Sequence, residues 1–273
     1  MPDRRRPHSA VALLEAVEQS PKAVAAHDKS AWVALFAADG QVNDPVGSTP
    51  HIGTGAIERF FDTFIAPNTI KFDVEHDVVS GMSVLRDLTV YTTMSTGVTM
   101  QIPMHLRYDL VSAEPEGAPE IQKLFAYWEL PTMIWQLLSS GGRGLLASLI
   151  LGPQLVRHQG LSGAVGFLRG LAGVRKRGKR CVTDLVAALA QADAAAVSPL
   201  LTPGAALSLD GVSETSVAEF VSAARHLQVD KLLAAGHTIS ATVHLNGKRG
   251  VGLFEFSHEA AYPGMMSAVR LYI

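Results

Sequence analysis

The sequence predicts an α+β fold in which short helices precede a curved antiparallel sheet. Two observations carry this prediction. Apolar residues follow helical spacing at positions 57, 60, 61, 64 and 65, and then alternate with a period of two from Ile70 onward. Later in the chain, Asn246-Gly247 separates two further strand-like runs, as in a tight hairpin. Helices followed by a run of strands are typical of a sheet that curls around a helix-capped interior.

Composition bounds the class of protein. The chain has 273 residues, is 48% hydrophobic and carries a net charge of -2. This length suits one large domain or two ordinary ones, and the near-neutral charge argues against nucleic acid as a partner. The single cysteine, Cys181, excludes an internal disulfide and a cysteine-based zinc site and favours a reducing, cytoplasmic location. No membrane span is expected, because Gly152-Pro153 interrupts the longest apolar run.

The first elements follow from local signals. Residues 9–36 have a helical pattern, with a predicted break or restart at Ser20-Pro21, a natural cap and first-turn pair. Asp39-Gly40 is expected to end this helical region. A short strand then carries Asp44 into a turn rich in proline and glycine, and a second helix opens at Thr54 or Gly55.

The strands of the first half are predicted from alternation. The first is expected to place five side chains on one face: Ile70, Phe72, Val74, His76 and Val78. A central strand follows at 83–94 and a last one at 122–129. Between them, apolar even positions from 100 to 108 place Met104 inside and His105 outside, and a slip of one residue would exchange them.

The second half repeats this organisation weakly. The spacing of Asp, apolar and Gly positions in 28–40 recurs in 193–204, about 165 residues later. The hairpin dipeptide joins strands 237–245 and 250–257. We therefore predict a second, shorter copy that forms a pseudo-dimer with the first inside one chain. The predicted domains are 1–130, a connector at 131–180, and 181–273.

The connector has an unusual composition. Residues 131–180 contain eight Lys or Arg and no Asp or Glu, among many leucines and glycines. We expect two or three short helices ending in an exposed basic linker at Arg175–Arg180. Three roles remain open: a packed connector, a lid over a pocket, or a basic amphipathic element that makes peripheral contact with an anionic membrane.

Three segments carry a family resemblance. The most specific runs from Val33-Ala34-Leu35-Phe36-Ala37 to Asn43-Asp44-Pro45-Val46-Gly47-Ser48. The others are Gly53-x-x-x-Ile57-x-x-Phe60-Phe61 and Ala126-Tyr127-Trp128. Together they resemble the ketosteroid isomerases and SnoaL-like proteins of the NTF2-like superfamily. The resemblance implies a cone of helices and sheet around an apolar pocket, in which an aspartate moves a proton α to a carbonyl beside an oxyanion hole.

When the functional residues of the family are carried over by position, the resemblance implies that Asp44 is the general base. The two oxyanion-hole positions of the family fall on Ser20 and Met104, so the usual donors are replaced. The residues around Asp44 are equally consistent with a plain turn residue before proline. Asp210 is its tentative counterpart in the second copy. No cofactor is implied, since side chains suffice for proton transfer, and the histidines lack metal-ligand spacing.

The expected partner is a hydrophobic small molecule such as a steroid, polyketide or terpenoid. The ligand-binding residues predicted for it are Trp32, Phe36, Phe61, Phe64, His76, Met104 and Trp128. His76 is either a core histidine or one that reaches the pocket and pairs with Asp44. Two functions stay open: an isomerase, dehydratase, cyclase or hydrolase, and a non-catalytic lipid-binding or assembly module. The chain is expected to be a monomer with its internal pseudo-dimer, or a homodimer.

Overall fold

The structure is a computed structural model that describes residues 8–112 and 117–273. Its first unit has helices α1 (Ala10–Ala25), α2 (Lys29–Val33) and α3 (Thr54–Phe60), the last continuing as a π-helical turn, Phe61–Ile65. The strands are β1 (Phe36–Asn43), β2 (His51–Ile52), β3 (Asn68–Ser80), β4 (Ser83–Met94), β5 (Thr99–Val111) and β6 (Glu120–Tyr127). They form a six-stranded sheet in the order β2-β1-β6-β5-β4-β3. The predicted α+β fold is confirmed.

Helix α1 begins at a Ser9 cap and buries Leu13, Val17 and Val24. The predicted break at Ser20-Pro21 is wrong, because α1 continues through Pro21. The Ser20 hydroxyl accepts a hydrogen bond from the Trp32 indole at 3.0 Å instead of capping a new helix. Strand β1 then starts at Phe36, before the Asp39-Gly40 signal that was expected to end the helical region.

Strand β3 contains a bulge that changes which residues share a face. Val74 pairs with Leu88, but His76 pairs with Asp87, so one extra residue is inserted at Glu75. Because side chains alternate along a strand, this insertion turns His76 and Val78 to the opposite face from Ile70 and Phe72. The prediction of one uninterrupted face from 70 to 78 is therefore wrong.

Residues between the sheets form α4 (Leu130–Ser139), α5 (Gly141–Leu168) and α6 (Arg175–Ala190). Helix α5 is kinked at Gly160, which has a φ of 70°. The predicted exposed linker at Arg175–Arg180 is instead the start of α6, whose Val182 and Leu185 lie in the second core. Thus the boundary placed at 180/181 falls inside a helix. Among the described residues, no helix is long and apolar enough to cross a membrane.

The second unit continues with α7 (Ala194–Val197), β7 (Leu201–Ser208), α8 (Val217–Ala223) and four more strands. These are β8 (Gln228–Ala235), β9 (Thr238–Leu245), β10 (Lys248–Phe256) and β11 (Met266–Tyr272). The order β7-β11-β10-β9-β8, with β7 parallel to β11, repeats β1-β6-β5-β4-β3, with β1 parallel to β6. The hairpin turn at Asn246-Gly247 is present, and both residues have positive φ.

The two sheets pack against each other through a shared apolar cluster. It contains Val78, Leu85 and Tyr127 from the first sheet and Val251, Leu253 and Tyr272 from the second. The register pairs Asn43 with Phe125 and Ser208 with Arg270, which makes Tyr127 and Tyr272 equivalent in the two units. The units therefore meet through equivalent faces, as in a symmetric dimer.

A buried charge cluster lies in the same interface. Asp87 is fully buried and accepts hydrogen bonds of 2.7 Å from Thr242, Lys231 and Arg249 of the second unit. His105, also fully buried, contacts Ser240 at 2.9 Å. Burial lowers the pKa of His105 to about 4, so the imidazole is neutral near pH 7. His105 points away from the interior of the first unit, into this interface.

Candidate functional site

A cavity of about 150 Å³ lies between helices α1–α3 and the sheet of the first unit, closed at one side by α4 and α5. Most of its wall is apolar, with four methionines from three different elements, β4, β5 and α4. The apolar lining includes Val24, Trp32, Phe60, Phe64, Ile70, Phe72, Val90, Met94, Met100, Ile102, Met104, Leu106, Leu124, Met133 and Phe167. Such a wall favours a hydrophobic ligand, and flexible methionines let it adapt to irregular shapes.

Asp44 reaches this cavity because β1 lies parallel to β6. Asn43 is in register with Phe125, and the Val46 amide donates to the Ala126 carbonyl at 2.9 Å, so the chain after β1 stays beside the end of β6. The Trp128 indole N–H then donates to Asp44 Oδ1 at 2.6 Å. Among the described residues that line the cavity, Asp44 is the one carboxylate.

The turn after Asp44 is held by the second unit. Gly47 has a φ of 96°, and a side chain there would start 2.5 Å from the Gly236 Cα. Glycine is thus required at position 47 by its conformation and by the close approach of the two units. The Asp44-Pro45-Val46-Gly47 motif therefore orients the carboxylate and also forms part of the interface.

The environment of Asp44 tunes its charge. Burial among apolar groups disfavours the carboxylate, while the Trp128 hydrogen bond favours it. The net effect is to raise the pKa of Asp44 from 3.8 to about 6. A carboxyl with this pKa is mostly ionised at pH 7 and is a stronger base than an exposed aspartate, as general-base chemistry requires.

Polar groups on other walls of the cavity complement this carboxylate. Tyr108 of β5 is buried and lines the cavity, as does Ser20. Burial raises the pKa of Tyr108, so its hydroxyl stays protonated and can donate a hydrogen bond. Asn68 and Thr92 also line the cavity.

The structure brings together Asp44, Trp32, Phe64, Met104 and Trp128 from the predicted set around one cavity. The other three predicted residues, Phe36, Phe61 and His76, do not line it. Phe36 and Phe61 pack against the Trp32 ring, with centroid distances of 4.9 and 5.7 Å, and do not line the cavity. Their predicted ligand contact is wrong, because they support Trp32 and do not touch the cavity.

His76 is also misplaced by the sequence pattern. Its Nε2 lies 3.0 Å from the Arg249 carbonyl in the second unit, so it can neither reach Asp44 nor line the cavity. The bulge at Glu75, which turned His76 outward, is the physical reason. His76 is an interface residue.

Asp210 is not a second base. By register, the position equivalent to Asp44 is Leu209, which packs against the second core. Asp210 is exposed and accepts hydrogen bonds from the Val212 and Ser213 amides, which hold its pKa below its usual range. The second unit therefore carries a turn aspartate and no counterpart of the cavity carboxylate.

Sequence reasoning missed Tyr108, Met133 and Phe167 as site residues. The signal for Tyr108 was available, because it shares the alternation that places Met104 inside. Phe167 and Met133 come from the region after the first unit, and only tertiary structure brings them over the cavity. Phe167 stacks on Phe64 at 5.3 Å and separates the cavity from a neighbouring cleft of about 220 Å³.

The cavity volume limits the ligand. Typical sites for drug-sized molecules are about 300 Å³ or larger, whereas a cavity of about 150 Å³ holds a molecule the size of benzene. A monocyclic compound therefore fits without rearrangement. A larger ligand requires movement of the walls, for which the Phe64–Phe167 pair and the methionines are the available side chains.

Within the described residues, no group of three or more His, Cys, Asp or Glu side chains is placed to hold a metal ion. The polar groups that face the cavity are a carboxylate, hydroxyls, an amide and an indole N–H. These groups can accept, donate and transfer protons.

Comparison with known proteins assigns the first unit to a family. Residues 17–113 match the SnoaL-like domain family. These residues form a SnoaL-like domain of the NTF2-like superfamily, which confirms the resemblance seen in the sequence. No curated protein gives a significant match to the chain.

Three similar solved structures each align with about half of this chain. The Δ5-3-ketosteroid isomerase of Mycobacterium sp. is 26% identical, with 44% of this chain and 95% of that chain covered and a TM-score of 0.40. A Mycobacterium tuberculosis protein solved with estradiol-17beta-hemisuccinate is 27% identical, with 44% and 95% covered and a TM-score of 0.40. An M. tuberculosis LEH-like epoxide hydrolase is 17% identical, with 51% and 96% covered and a TM-score of 0.41.

Proposed function

We propose that this protein binds a hydrophobic carbonyl compound in the cavity of its first unit and moves a proton α to the carbonyl, with Asp44 as the general base. The observation that carries this proposal is the position of Asp44. It is the one carboxylate on an otherwise largely apolar wall formed by described residues, and burial raises its pKa to about 6.

The chemistry follows from the groups that face the cavity. The ionised Asp44 takes a proton from the carbon α to the carbonyl, and the electron pair moves onto the carbonyl oxygen as an enolate. The buried Tyr108 hydroxyl is one of the donors available for that oxygen. With a β,γ-unsaturated ketone, the protonated Asp44 returns the proton to the γ carbon, and the product is the conjugated ketone.

The substrate class follows from the lining and the volume. The apolar wall selects a hydrocarbon-rich compound, and the cavity of about 150 Å³ accepts a single ring without rearrangement. Steroid, polyketide or terpenoid ligands would require opening at the Phe64–Phe167 pair. The carbonyl is expected near Tyr108, with its α carbon toward Asp44.

A second candidate is a non-catalytic module that holds a hydrophobic ligand. It is favoured by the hydrogen bond that Asp44 already receives from Trp128, which gives the carboxylate a structural partner without any substrate. In that case Asp44 would orient the indole that forms part of the wall, and no turnover would occur.

The test uses the full chain and cyclohex-3-en-1-one, a monocyclic β,γ-unsaturated ketone that suits the cavity. Its isomerisation is followed by the ultraviolet absorbance of the conjugated product. Asp44→Asn is expected to lower turnover by at least about 100-fold with ligand affinity largely kept. The exposed Asp39→Asn is the matched control and is expected to retain full activity. Binding without turnover in the unmodified protein would instead support the non-catalytic module.

A further inference from the structure

Helices α4 and α5 present large apolar side chains to solvent. Trp135 is 71% exposed, Leu149 is 63% exposed and Leu161 is 73% exposed. Scattered exposed leucines are ordinary, but such a concentration on neighbouring helices marks a surface that has a partner.

The exposed side chains follow helical spacing. Before the kink at Gly160, Leu145, Leu149 and Val156 fall at i, i+4 and i+11, which is one stripe of the helix. After the kink, Leu161, Val165 and Leu168 fall at i, i+4 and i+7 and make a second stripe.

Other side chains of these helices face the protein. Phe167 stacks on Phe64, and Gly166 lies against Thr49. On α4, Leu130, Met133 and Leu137 are buried in the first core. Each helix is therefore fixed to the protein on one side and apolar on its free side.

The charged residues of this region are all basic. Helices α4 and α5 contain Arg143 and Arg157 and no Asp or Glu, and five further Lys or Arg follow in the first turns of α6. Arg143 and Arg157 on α5, and Arg169 just beyond it, are exposed. Helices that combine an exposed apolar stripe with nearby cations bind anionic lipid surfaces, where the stripe enters the interface and the cations meet headgroup phosphates.

We propose that α4 and α5 dock the protein on an anionic membrane surface. The alternative partner for this apolar surface is a second copy of the chain, which would offer the same apolar area. A symmetric contact of that kind would place the same patch against itself and bring the Arg143 and Arg157 side chains of the two copies together. Like charges in such a contact repel, whereas an anionic bilayer attracts them.

The docking surface is continuous with the candidate site. Met133 on α4 and Phe167 on α5 line the cavity, while Trp135 and Leu149 of the same helices face solvent. A hydrophobic compound dissolved in the bilayer would therefore lie next to the helices that close the cavity. The docking itself does not depend on any catalytic activity.

The test is co-sedimentation of the full chain with vesicles of phosphatidylcholine alone or with added phosphatidylglycerol. Binding is expected to the anionic vesicles, and it should weaken as salt is raised. Trp135 supplies a second readout, because Trp32 and Trp128 are buried. Its fluorescence is expected to shift to the blue on binding, and Trp135→Phe should remove that shift.

Two double variants separate the contributions. Arg143→Gln with Arg157→Gln is expected to lower affinity for anionic vesicles about 30-fold. Leu145→Gln with Leu149→Gln is expected to lower it at least about tenfold. The controls are Val212→Gln, which is 65% exposed on the second unit, and the exposed Lys248→Gln. Both controls should bind like the unmodified protein.

Three results would contradict docking of α4 and α5 on a membrane. Absence of binding to anionic vesicles at low salt would overturn the proposal. Binding that neither double variant weakens would also overturn it, because the surface would then lie elsewhere. Sedimentation as a dimer that dissociates with Leu145→Gln and Leu149→Gln would assign the surface to a second copy of the chain.

Discussion

The hydrogen bond from Trp128 to Asp44 allows a quantitative prediction about the charge in the cavity. Trp128→Phe removes the indole N–H, which lies 2.6 Å from Asp44 Oδ1, and keeps an aromatic ring in the wall. A hydrogen bond to a charged group contributes about 1.5–3 kcal/mol. At about 1.4 kcal/mol per pKa unit, its loss corresponds to roughly one to two units.

The direction of the change follows from which form the indole stabilises. The indole N–H donates to the carboxylate and stabilises it. Without this hydrogen bond the neutral acid is relatively more stable, so the pKa of Asp44 rises from about 6 to roughly 7–8. The pH at which a base-dependent rate reaches half its maximum should rise by the same amount.

The assay is carbon-13 NMR of the aspartate carboxyl carbons during a pH titration. Asp44→Asn identifies the signal, since only that resonance disappears. The exposed Trp135→Phe is the control and should leave the titration unchanged. A pKa near 4 in the unmodified protein, or one that Trp128→Phe leaves in place, would refute the claim that Asp44 is a half-buried carboxyl held by the indole.

Three other predictions concern catalysis, the interface and pH. Tyr108→Phe is expected to lower kcat about 100-fold with little change in KM, because it removes the donor to the developing oxyanion; steady-state kinetics checks this. Lys231→Met should lower the free energy of unfolding by about 3 kcal/mol in denaturant titrations, since buried Asp87 loses a cationic partner at 2.7 Å, while the exposed Lys71→Met should have little effect. The pKa of Asp44 is raised from 3.8 to about 6, so its contribution to stability is complete below pH 4 and is lost as pH rises through 6. Between pH 4 and pH 7 this lowers the free energy of unfolding by at most about 3 kcal/mol. Unfolding curves at the two pH values should show that Asp44→Asn abolishes this decrease.

The parts of the site that the sequence predicted are those encoded by local patterns. Asp44 precedes a turn that Pro45 and Gly47 define within a few residues, and Met104 lies in an unbroken alternation of β5. The order of helices and strands and the Asn246-Gly247 hairpin follow from equally local signals. These features depend little on distant contacts.

The errors arose where distant contacts decide. His76 follows the alternation of β3, but the bulge at Glu75 is defined only by pairing with β4. Phe36 and Phe61 are aromatic like a pocket wall, yet they pack against Trp32 and do not line the cavity. Asp210 resembles Asp44 in the linear sequence, whereas the register of β7 on β11 gives that position to Leu209.

The interface between the units could not be derived from the chain alone. Asp87 and His105 are polar residues on strands and would be expected at a solvated face. They are fully buried because the second sheet supplies Lys231, Arg249 and Thr242 opposite them. Such complementarity depends on how two sheets are superposed, which no spacing within one segment encodes.

The most direct measurement of proton transfer in the cavity is deuterium exchange at the α carbons of cyclohexanone, followed by proton NMR in heavy water. The unmodified chain is expected to accelerate exchange with a rate that rises through a single ionisation near pH 6, and Asp44→Asn should abolish the acceleration while Asp39→Asn keeps it. Exchange no faster than in buffer, or equally fast with Asp44→Asn, would contradict the assignment of Asp44 as the base.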